Sequence, residues 1–317
     1  MFCSTIIPTV GRDHVNRAVQ SVLDQQFDPQ QFEIIVVNDS GKPLPEHPWQ
    51  QNPQVIIIHT QKRERCMARN SGAAIAKGQY LHFLDDDDWM MPNFLTHFHK
   101  LAQRSTAVWL YGATQLVDRD DQPLIQLHHG LKGNCFVHVM AGEWIPLQSS
   151  LINAETFFKV GGFNPLIPGS EDIDLLRRVA LVGDIDAVDP VVAQLEMGLT
   201  GSTTDYDWSA LMARWAREAI LNESNAFKRL QDSANGSEWQ GRILRLYLTS
   251  MVWNLKNRRG LTAVSRFNYA GASFFYAGSA LLSAKLWQAV KSQYESPTFL
   301  KGFEAANIPV GRRELNI

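Results

Sequence analysis

Four adjacent carboxylates, Asp85, Asp86, Asp87 and Asp88, directly follow the largely apolar segment 78–84. In β geometry alternate side chains share a face, so we expect Asp85 and Asp87 on one side and Asp86 and Asp88 on the other. Like charges this close are costly unless a cation lies between them. Asp is also common in turns, so an ordinary turn is the alternative. We interpret the run as a site for a divalent metal or a metal-bound phosphate.

The elements before this run alternate between strands and helices. We expect strands at 4–7, ended by Pro8, at 33–37, at 55–58 and at 78–84. We expect helices at 13–25, with Asp13 as N-cap, and at 64–76, with Met67, Ala68, Ser71 and Ile75 as its apolar side. This order predicts an α/β fold with a mostly parallel sheet and helices on both faces. Ligands bind beyond the carboxyl ends of such strands, so Asp39 and the four aspartates should share one crevice.

Length and composition limit the number of domains, the class of partner and the cellular compartment. The chain has 317 residues, enough for one large domain and a smaller one. Its formal net charge of -2 argues against nucleic acid as a partner, because general binding to nucleic acid needs a basic face. Three widely spaced cysteines form neither a disulfide framework nor a metal site, and the N-terminus lacks a signal-peptide pattern. We therefore expect a protein of the reducing cytoplasm.

Five motifs in order resemble those of the family 2 glycosyltransferases, which have the GT-A fold. The motifs are 5–9 (TIIPT), 34–39 (IIVVND), 68–72 (ARNSG), 83–89 (FLDDDDW), and 160–164 (VGGFN) followed by 171–175 (EDIDL). The likeness covers about residues 3–205, so we expect a GT-A catalytic domain over 1–205 and a helical extension over 206–317. The resemblance implies inverting transfer of a sugar from a nucleotide-sugar, usually UDP-linked, with the help of Mn²⁺ or Mg²⁺.

The resemblance assigns metal roles within the acidic run. Asp87 would ligate the metal directly, and Asp85 would reach the ribose or a metal-bound water, as the outer residues of a DxD motif. Asp86 stands where the family usually has a small residue, so Asp86 and Asp88 remain the alternative pair. Carboxylate oxygens suit Mn²⁺ and Mg²⁺. Glu196 occupies the place of a third metal ligand, and the loop 198–204 after it would close over the phosphates.

The same resemblance assigns donor-binding roles outside the acidic run. Asp39 would accept a hydrogen bond from the uracil imide, with a plain Asx-turn as the alternative. Pro8 and Thr9 match the position that frames the base through backbone contacts. Arg65 or Arg69 would stack on or pair with the base or the phosphates. The alternative for both arginines is an ordinary solvated position on a helix.

An inverting transfer also needs a base beside the acceptor hydroxyl. The motif at 171–175 places Glu171 and Asp172 at the start of an expected helix. Capping and compensation of the helix dipole are the alternative explanation for two acids at this place. Family order favours a catalytic role. We therefore expect Asp172 to be the general base and Glu171 to bind or orient the acceptor.

Helical periodicity dominates beyond about residue 206, with helices expected at 208–221, 239–255 and 267–290. The stretch 267–284 is uncharged but too short and polar for a membrane span, so we expect a buried helix. Peripheral contact of these helices with the membrane, helped by the basic residues at 256–259, is the alternative.

Residues 211–215 (LMARW) lack the key Gln of processive synthases, so we expect a nonprocessive enzyme.

Two other functions are alternatives to sugar transfer. A sugar-nucleotide pyrophosphorylase would carry a Gly-rich, basic loop after the first strand, whereas residues 8–12 (PTVGR) hold one Gly and one Arg. A noncatalytic module that binds nucleotide-sugars or glycans would not need both Asp85/Asp87 and Asp172. The sequence therefore predicts a metal-dependent glycosyltransferase that acts on a glycan or a lipid-linked acceptor. The donor sugar and the acceptor carry no motif that identifies them.

Overall fold

A mixed β-sheet forms the centre of the protein. The computed structural model describes residues 1–61, 64–197 and 206–292. Within them nine strands form one sheet in the order β3-β2-β1-β4-β8-β6-β9-β5, with β7 paired to β6. The strands are β1 (Cys3–Thr9), β2 (Phe32–Asn38), β3 (Val55–His59), β4 (Tyr80–Phe83), β5 (Trp89–Met90), β6 (Trp109–Val117), β7 (Pro123–Leu127), β8 (Ser150–Asn153) and β9 (Ile185–Glu196).

The first four strands pair in parallel, and helices connect them as the sequence predicts. The helices up to β9 are α1 (Val15–Leu23), α2 (Arg65–Ile75), α3 (Phe94–Ala102), α4 (Phe136–Met140), α5 (Ala154–Lys159) and α6 (Glu171–Val182). The chain runs from β1 outward to β2 and β3, then returns to place β4 on the other side of β1. This reversal opens a crevice at the carboxyl ends of β1 and β4. The predicted α/β class is confirmed.

Two predicted boundaries at the start of the chain are wrong. Strand β1 does not end at Pro8 but continues to Thr9. Pro8 is tolerated because β4 pairs with β1 only as far as Ile6. The side of Pro8 that faces β4 therefore needs no N–H for a hydrogen bond between the strands. Helix α1 starts at Val15 with His14 at its N-cap, and Asp13 instead belongs to the preceding turn.

The predicted buried face of α2 is right for Ala68 but wrong for Met67 and Ile75. Met67 and Ile75 are 37% and 41% exposed, whereas Cys66, Ala68, Arg69, Gly72 and Ala73 are the buried residues. Gly72 determines which face of α2 is turned toward the sheet, because a Cβ at this position would lie only 2.5 Å from Ile6 Cγ2 on β1. The helix can therefore approach the sheet closely, and its Arg69 is carried into the interior rather than into solvent.

The four aspartates lie in a turn and not in a strand. Strand β4 ends at Phe83, and the backbone N–H of Asp88 donates to the Asp85 carbonyl at 3.2 Å. The chain then enters β5, which pairs antiparallel with β9. The predicted alternation of the carboxylates between two faces is wrong, because a turn does not keep the two-residue period of a strand.

Five helices follow β9 within the described residues. They are α7 (Tyr206–Ile220), α8 (Ala226–Ser233), α9 (Ser237–Lys256), α10 (Gly260–Ala277) and α11 (Ala284–Lys291). Helix α8 was not predicted, and α10 and α11 were predicted as one helix. Gly278 separates them: it has a φ of 48° and begins a short 3₁₀ segment. None of the described helices combines the length and apolar character that crossing a bilayer requires.

These helices share a hydrophobic core with the sheet. One continuous cluster joins Ile6 and Trp109 of the sheet to Ile220, Ile243 and Tyr247 of the later helices. The expected boundary at 205/206 stays a prediction. Residues 198–205 lie outside the described residues, and so does the loop 198–204 that was expected to close over the phosphates.

The prediction that 267–284 forms a buried helix is only half right. Helix α10 buries a narrow face of small residues together with Arg266. Its other face exposes large apolar side chains, including Leu261 at 92%, Phe267 at 61% and Phe275 at 83%. Small residues suffice on the inner face because α10 packs closely on α9, and this leaves the aromatic side chains outside.

Candidate functional site

A cavity of about 280 Å³ opens at the carboxyl ends of β1, β2 and β4. The cavity brings together residues that were predicted to bind the donor or the metal and three residues for which no role was predicted. The lining residues are Pro8, Thr9, Val10, Arg12, Asp39, Arg65, Ala68, Arg69, Asp85, Asp86 and Asp87. The parallel order of β2, β1 and β4 explains why residues so far apart in sequence meet here.

Three of the four aspartates form one cluster. Carboxylate oxygens of Asp85, Asp87 and Asp88 all lie within 4.8 Å of one another. Burial, followed by the nearby charges of Asp85 and Asp87, raises the pKa of Asp88 well above its usual value. Neither predicted pair, Asp85/Asp87 or Asp86/Asp88, describes this arrangement completely, because Asp88 joins the first pair.

Asp86 points away from that cluster. Its Oδ2 accepts from the Thr9 hydroxyl at 2.6 Å and from Arg12 Nε at 3.2 Å, and Arg12 forms a further contact with Oδ1. Arg12 also pairs with Asp87 Oδ2 at 3.0 Å. Asp86 therefore anchors the β1 loop and its arginine. No role was predicted for Arg12. The one feature of the sequence that could have indicated a role is its position in the loop after β1.

Arg69 connects the acidic turn to helix α6. Its guanidinium donates to Asp85 Oδ1 at 2.6 Å and to Glu171 Oε1 at 3.1 Å, and it is 4% exposed. Although burial opposes ionisation, Arg69 and Gln148 lower the pKa of Asp85. The expectation that this arginine reaches the base or the phosphates stays untested, but the alternative of a solvated helix arginine is wrong for Arg69.

The rest of the ARNSG motif positions the segment that precedes α6. Asn70 accepts from the backbone N–H of Phe163 at 2.9 Å and donates to the Phe163 carbonyl at 2.8 Å. A Cβ at Gly162, which has a φ of 65°, would lie 2.8 Å from Asn70 Oδ1. The Phe163 ring lies 5.2 Å from the Arg69 guanidinium carbon. Two motifs far apart in sequence therefore form one unit.

A second cavity of about 160 Å³ holds the predicted base. Glu171 and Asp172 lie on its wall, and Arg65, Arg69 and Asp85 line both cavities. Burial and the neighbouring Glu171 charge raise the pKa of Asp172 to about 6. Glu171 is held by Arg69 and by Arg65, whose Nη1 lies 3.4 Å from Oε1. A carboxylate poised to take a proton thus adjoins the acidic cluster.

Asp39 and Glu196 are placed differently from their expected roles. Asp39 is buried and accepts from the Thr60 hydroxyl at 2.7 Å and from the Glu64 N–H at 2.6 Å, while the Asx-type turn belongs to Asn38. Glu196 contributes its backbone N–H to Asp88 Oδ1 at 3.0 Å, and its carboxylate is not a member of the cluster of three. The uracil and metal roles of these two residues stay predictions.

Residues 4–163 match the family described as "Glycosyl transferase family 2". The chain belongs to this family. Its curated relatives include an uncharacterized glycosyltransferase of Rickettsia felis, 26% identical over 57% of this chain and 32% of its own length. Another is the putative colanic acid biosynthesis glycosyl transferase WcaA of Escherichia coli, 34% identical over 34% of this chain and 40% of its own. The chain spans about a third of the length of the relatives from Rickettsia felis and Rickettsia conorii.

Solved structures share the fold. The S. aureus TarS fragment 1-349, crystallised with UDP-GlcNAc, superposes with a TM-score of 0.61. The match covers 86% of this chain and 91% of that one at 13% identity. Together with the family match, it confirms the expected GT-A-type α/β fold with a helical C-terminal region.

The acidic cluster suits the divalent metal that the family often uses. The three converging carboxylates repel one another, although Arg69 pairs with Asp85 and Arg12 with Asp87. Mn²⁺ or Mg²⁺, which prefers oxygen ligands, would offset that repulsion. Asp85, Asp87 and Asp88 are the residues that would hold the ion. Asp86 is excluded from this set by its contacts with Thr9 and Arg12.

We expect the D87N variant to weaken Mn²⁺ binding by at least about tenfold, because one of three converging carboxylates is neutralised. The matched variant D86N removes the same charge next to the cluster and should change the affinity by less than about twofold. Titration followed by the electron paramagnetic resonance of free Mn²⁺ measures both. Equal losses in the two variants would contradict the assignment of the cluster.

Proposed function

We propose that the protein transfers a sugar, with inversion, from a UDP-sugar to a glycan or lipid-linked acceptor. The observation that carries this proposal is the pair of adjoining cavities with Arg65, Arg69 and Asp85 in their common wall. One cavity has the groups suited to a nucleoside diphosphate, and the other has a carboxylate whose pKa is raised to about 6. Family membership favours transfer over the pyrophosphorylase and the noncatalytic module.

The donor would occupy the larger cavity. Asp39 lines this cavity, and its carboxylate is an acceptor of the kind that the uracil imide requires. The half-exposed Arg12 can contact the diphosphate from the opposite wall. The TarS fragment of this fold was crystallised with UDP-GlcNAc and with UDP, which supports UDP as the first donor nucleotide to test.

The leaving UDP gains negative charge as the glycosidic bond breaks. Mn²⁺ or Mg²⁺, when bound, acts as a Lewis acid that offsets this charge. Asp85, Asp87 and Asp88 would hold the ion, with Glu196 as a further candidate ligand. Arg69 keeps Asp85 ionised and oriented toward the cavity by an ion pair of 2.6 Å.

The acceptor would occupy the smaller cavity. Asp172 would remove the proton of its attacking hydroxyl, on the side of the anomeric carbon opposite the leaving group. Glu171 is engaged by two arginines, so it fits the role of orienting neighbour rather than that of a second base. This division leaves Asp172 to exchange a proton and Glu171 to orient the acceptor.

Calorimetric titration of UDP tests the donor assignment. We expect binding in the presence of Mn²⁺ that EDTA weakens, and that the D87A variant weakens by at least about tenfold, since the metal links the protein to the phosphates. The D232A variant, which removes an exposed aspartate on α8, is the control and should bind like the wild type. Failure of UDP to bind under any of these conditions would refute the donor assignment.

The pH dependence of transfer tests the base. Asp172 is active only as a carboxylate and its pKa is about 6, so kcat/KM should rise with pH through about 6 and then level off. The D172N variant should lose about 10²- to 10⁴-fold in kcat while its affinity for UDP stays unchanged. Near-normal turnover by that variant would show that another group takes the proton.

We also propose that the protein works in the cytoplasm and that the exposed face of α10 rests on an anionic membrane. Leu261, Phe267 and Phe275 are exposed there, and the exposed cations Lys256, at the end of α9, and Arg258, in the turn that follows, precede the same helix. Buried apolar area and attraction to anionic headgroups would act together in this geometry.

Flotation with vesicles that contain phosphatidylglycerol tests the membrane contact. We expect the wild type to float with the vesicles, and the F275E variant to float at least about threefold less, because a charge replaces a side chain that inserts. The F158E variant alters another exposed Phe, on α5, and should float like the wild type. Absence of wild-type flotation would overturn this contact.

A further inference from the structure

Arg12 contacts two aspartates of the acidic turn with different parts of its guanidinium group. Nε and Nη2 donate to the two carboxylate oxygens of Asp86, with a distance of 3.2 Å from Nε to Oδ2. The third nitrogen, Nη1, donates to Asp87 Oδ2 at 3.0 Å. One edge of the guanidinium is therefore paired with a residue outside the acidic cluster, and the remaining nitrogen is paired with a residue inside it.

The two contacts differ in how easily they can be broken. Asp86 is buried and also accepts from the Thr9 hydroxyl at 2.6 Å, so its position relative to the β1 loop is fixed. The side chains of Asp87 and Arg12 are 34% and 51% exposed. Paired bonds from a guanidinium to a carboxylate are strong, whereas a single ion pair in contact with water contributes little to stability. Nη1 can therefore leave Asp87 while the other edge of the guanidinium stays on Asp86.

Arg12 and a divalent ion would compete for Asp87. This residue offers a carboxylate oxygen to the cluster, and its Oδ2 accepts from Nη1 of Arg12. Two cations at one carboxylate also repel each other. Nη1 would therefore be released from Asp87 when the cluster holds an ion. Because Arg12 lines the larger cavity, the released nitrogen stays beside the place proposed for the diphosphate.

Arg69, which pairs with another member of the cluster, is not suited to such an exchange. It is buried, and its guanidinium lies 2.6 Å from Asp85 and 3.1 Å from Glu171. Removal of one partner from a buried ion pair is strongly unfavourable, because it leaves a buried charge uncompensated. Of these two arginines, Arg12 is the one whose contact with the cluster is exposed to water. An exchange of partners is therefore expected at Arg12 and not at Arg69.

We infer that Arg12 couples binding of the metal ion to binding of the donor diphosphate by exchanging one partner for another. Nη1 is held by Asp87 in the metal-free protein, and it donates to a phosphate oxygen once Asp87 is engaged by the ion. Asp86 holds the other edge of the guanidinium throughout. The negative charge of the diphosphate offsets the repulsion between the two cations, so each ligand strengthens binding of the other. This inference rests on the proposed function and specifies how its donor site is assembled.

Binding of Mn²⁺ alone tests the competition for Asp87. Without nucleotide, we expect the R12Q variant to bind Mn²⁺ about two- to fivefold more tightly than the wild type, because Asp87 loses the partner that competes with the ion. Titration followed by the electron paramagnetic resonance of free Mn²⁺ measures this change. Weaker binding would show that Arg12 supports the shape of the cluster, and unchanged binding would show that no competition exists. Either result would overturn the inference.

Calorimetric titration of UDP tests the link between the two ligands. With saturating Mn²⁺, R12Q should bind UDP at least about tenfold more weakly than the wild type, because it lacks a charge-assisted hydrogen bond to the diphosphate. In EDTA the same substitution should weaken UDP binding by less than about threefold, because Asp87 holds Nη1 when the ion is absent. Equal losses in the two conditions would show that Arg12 acts through its charge alone, and would overturn the exchange.

Two further variants separate geometry from charge. R12K keeps the positive charge, but one ammonium group cannot match the three nitrogens of the guanidinium, so it should lose the metal-dependent gain in UDP affinity as R12Q does. Wild-type behaviour of R12K would contradict the role of the guanidinium. R104Q removes the same charge from an exposed position that lines neither cavity, and should change both affinities by less than about twofold.

The same titrations distinguish failure of the exchange from failure of the proposed function. A wild type that binds no UDP with or without Mn²⁺ would refute the donor assignment and, with it, this inference. A wild type that binds UDP more tightly with Mn²⁺, together with equal losses in R12Q, would refute the exchange and leave the donor assignment in place.

Discussion

The buried Arg69 guanidinium is the interaction on which both cavities depend. It binds Asp85 at the end of β4 and Glu171 at the start of α6, two segments that are distant in sequence. A buried cation between two carboxylates is stable only when both remain in place, and removal of one partner leaves an uncompensated buried charge. The ion pairs thereby fix the separation between the acidic turn and the helix that carries Asp172.

The acidic turn shows how four identical side chains can have separate roles. Asp86 holds the β1 loop through Thr9 and Arg12, while the other three converge. Arg69 lowers the pKa of Asp85, whereas burial and then the charges of Asp85 and Asp87 raise the pKa of Asp88. A cation at the cluster would stabilise the ionised form of all three. The same charges that repel one another thus create affinity for a divalent ion.

The C-terminal helices are organised by buried charge as well as by apolar contact. Arg266 of α10 is 2% exposed and donates to the Leu221 carbonyl at 2.9 Å and to Asn222. Glu218 of α7 accepts from Ser250 and Asn254 of α9. These polar contacts fix how α7, α9 and α10 are arranged.

The sequence by itself determined the parallel strands, the crevice at their carboxyl ends and most residues of the two cavities. Strand periodicity and motif order carry that information, and the match to family 2 confirms the family. Only the tertiary structure decided that Asp88 joins Asp85 and Asp87, since a turn has no fixed period. It also decided that Arg69 is buried, because the close approach of Gly72 to Ile6 rotates α2. The contacts of Arg12 with Asp86 and Asp87 were likewise invisible in the sequence, because they join two loops that only the pairing of β1 with β4 brings together.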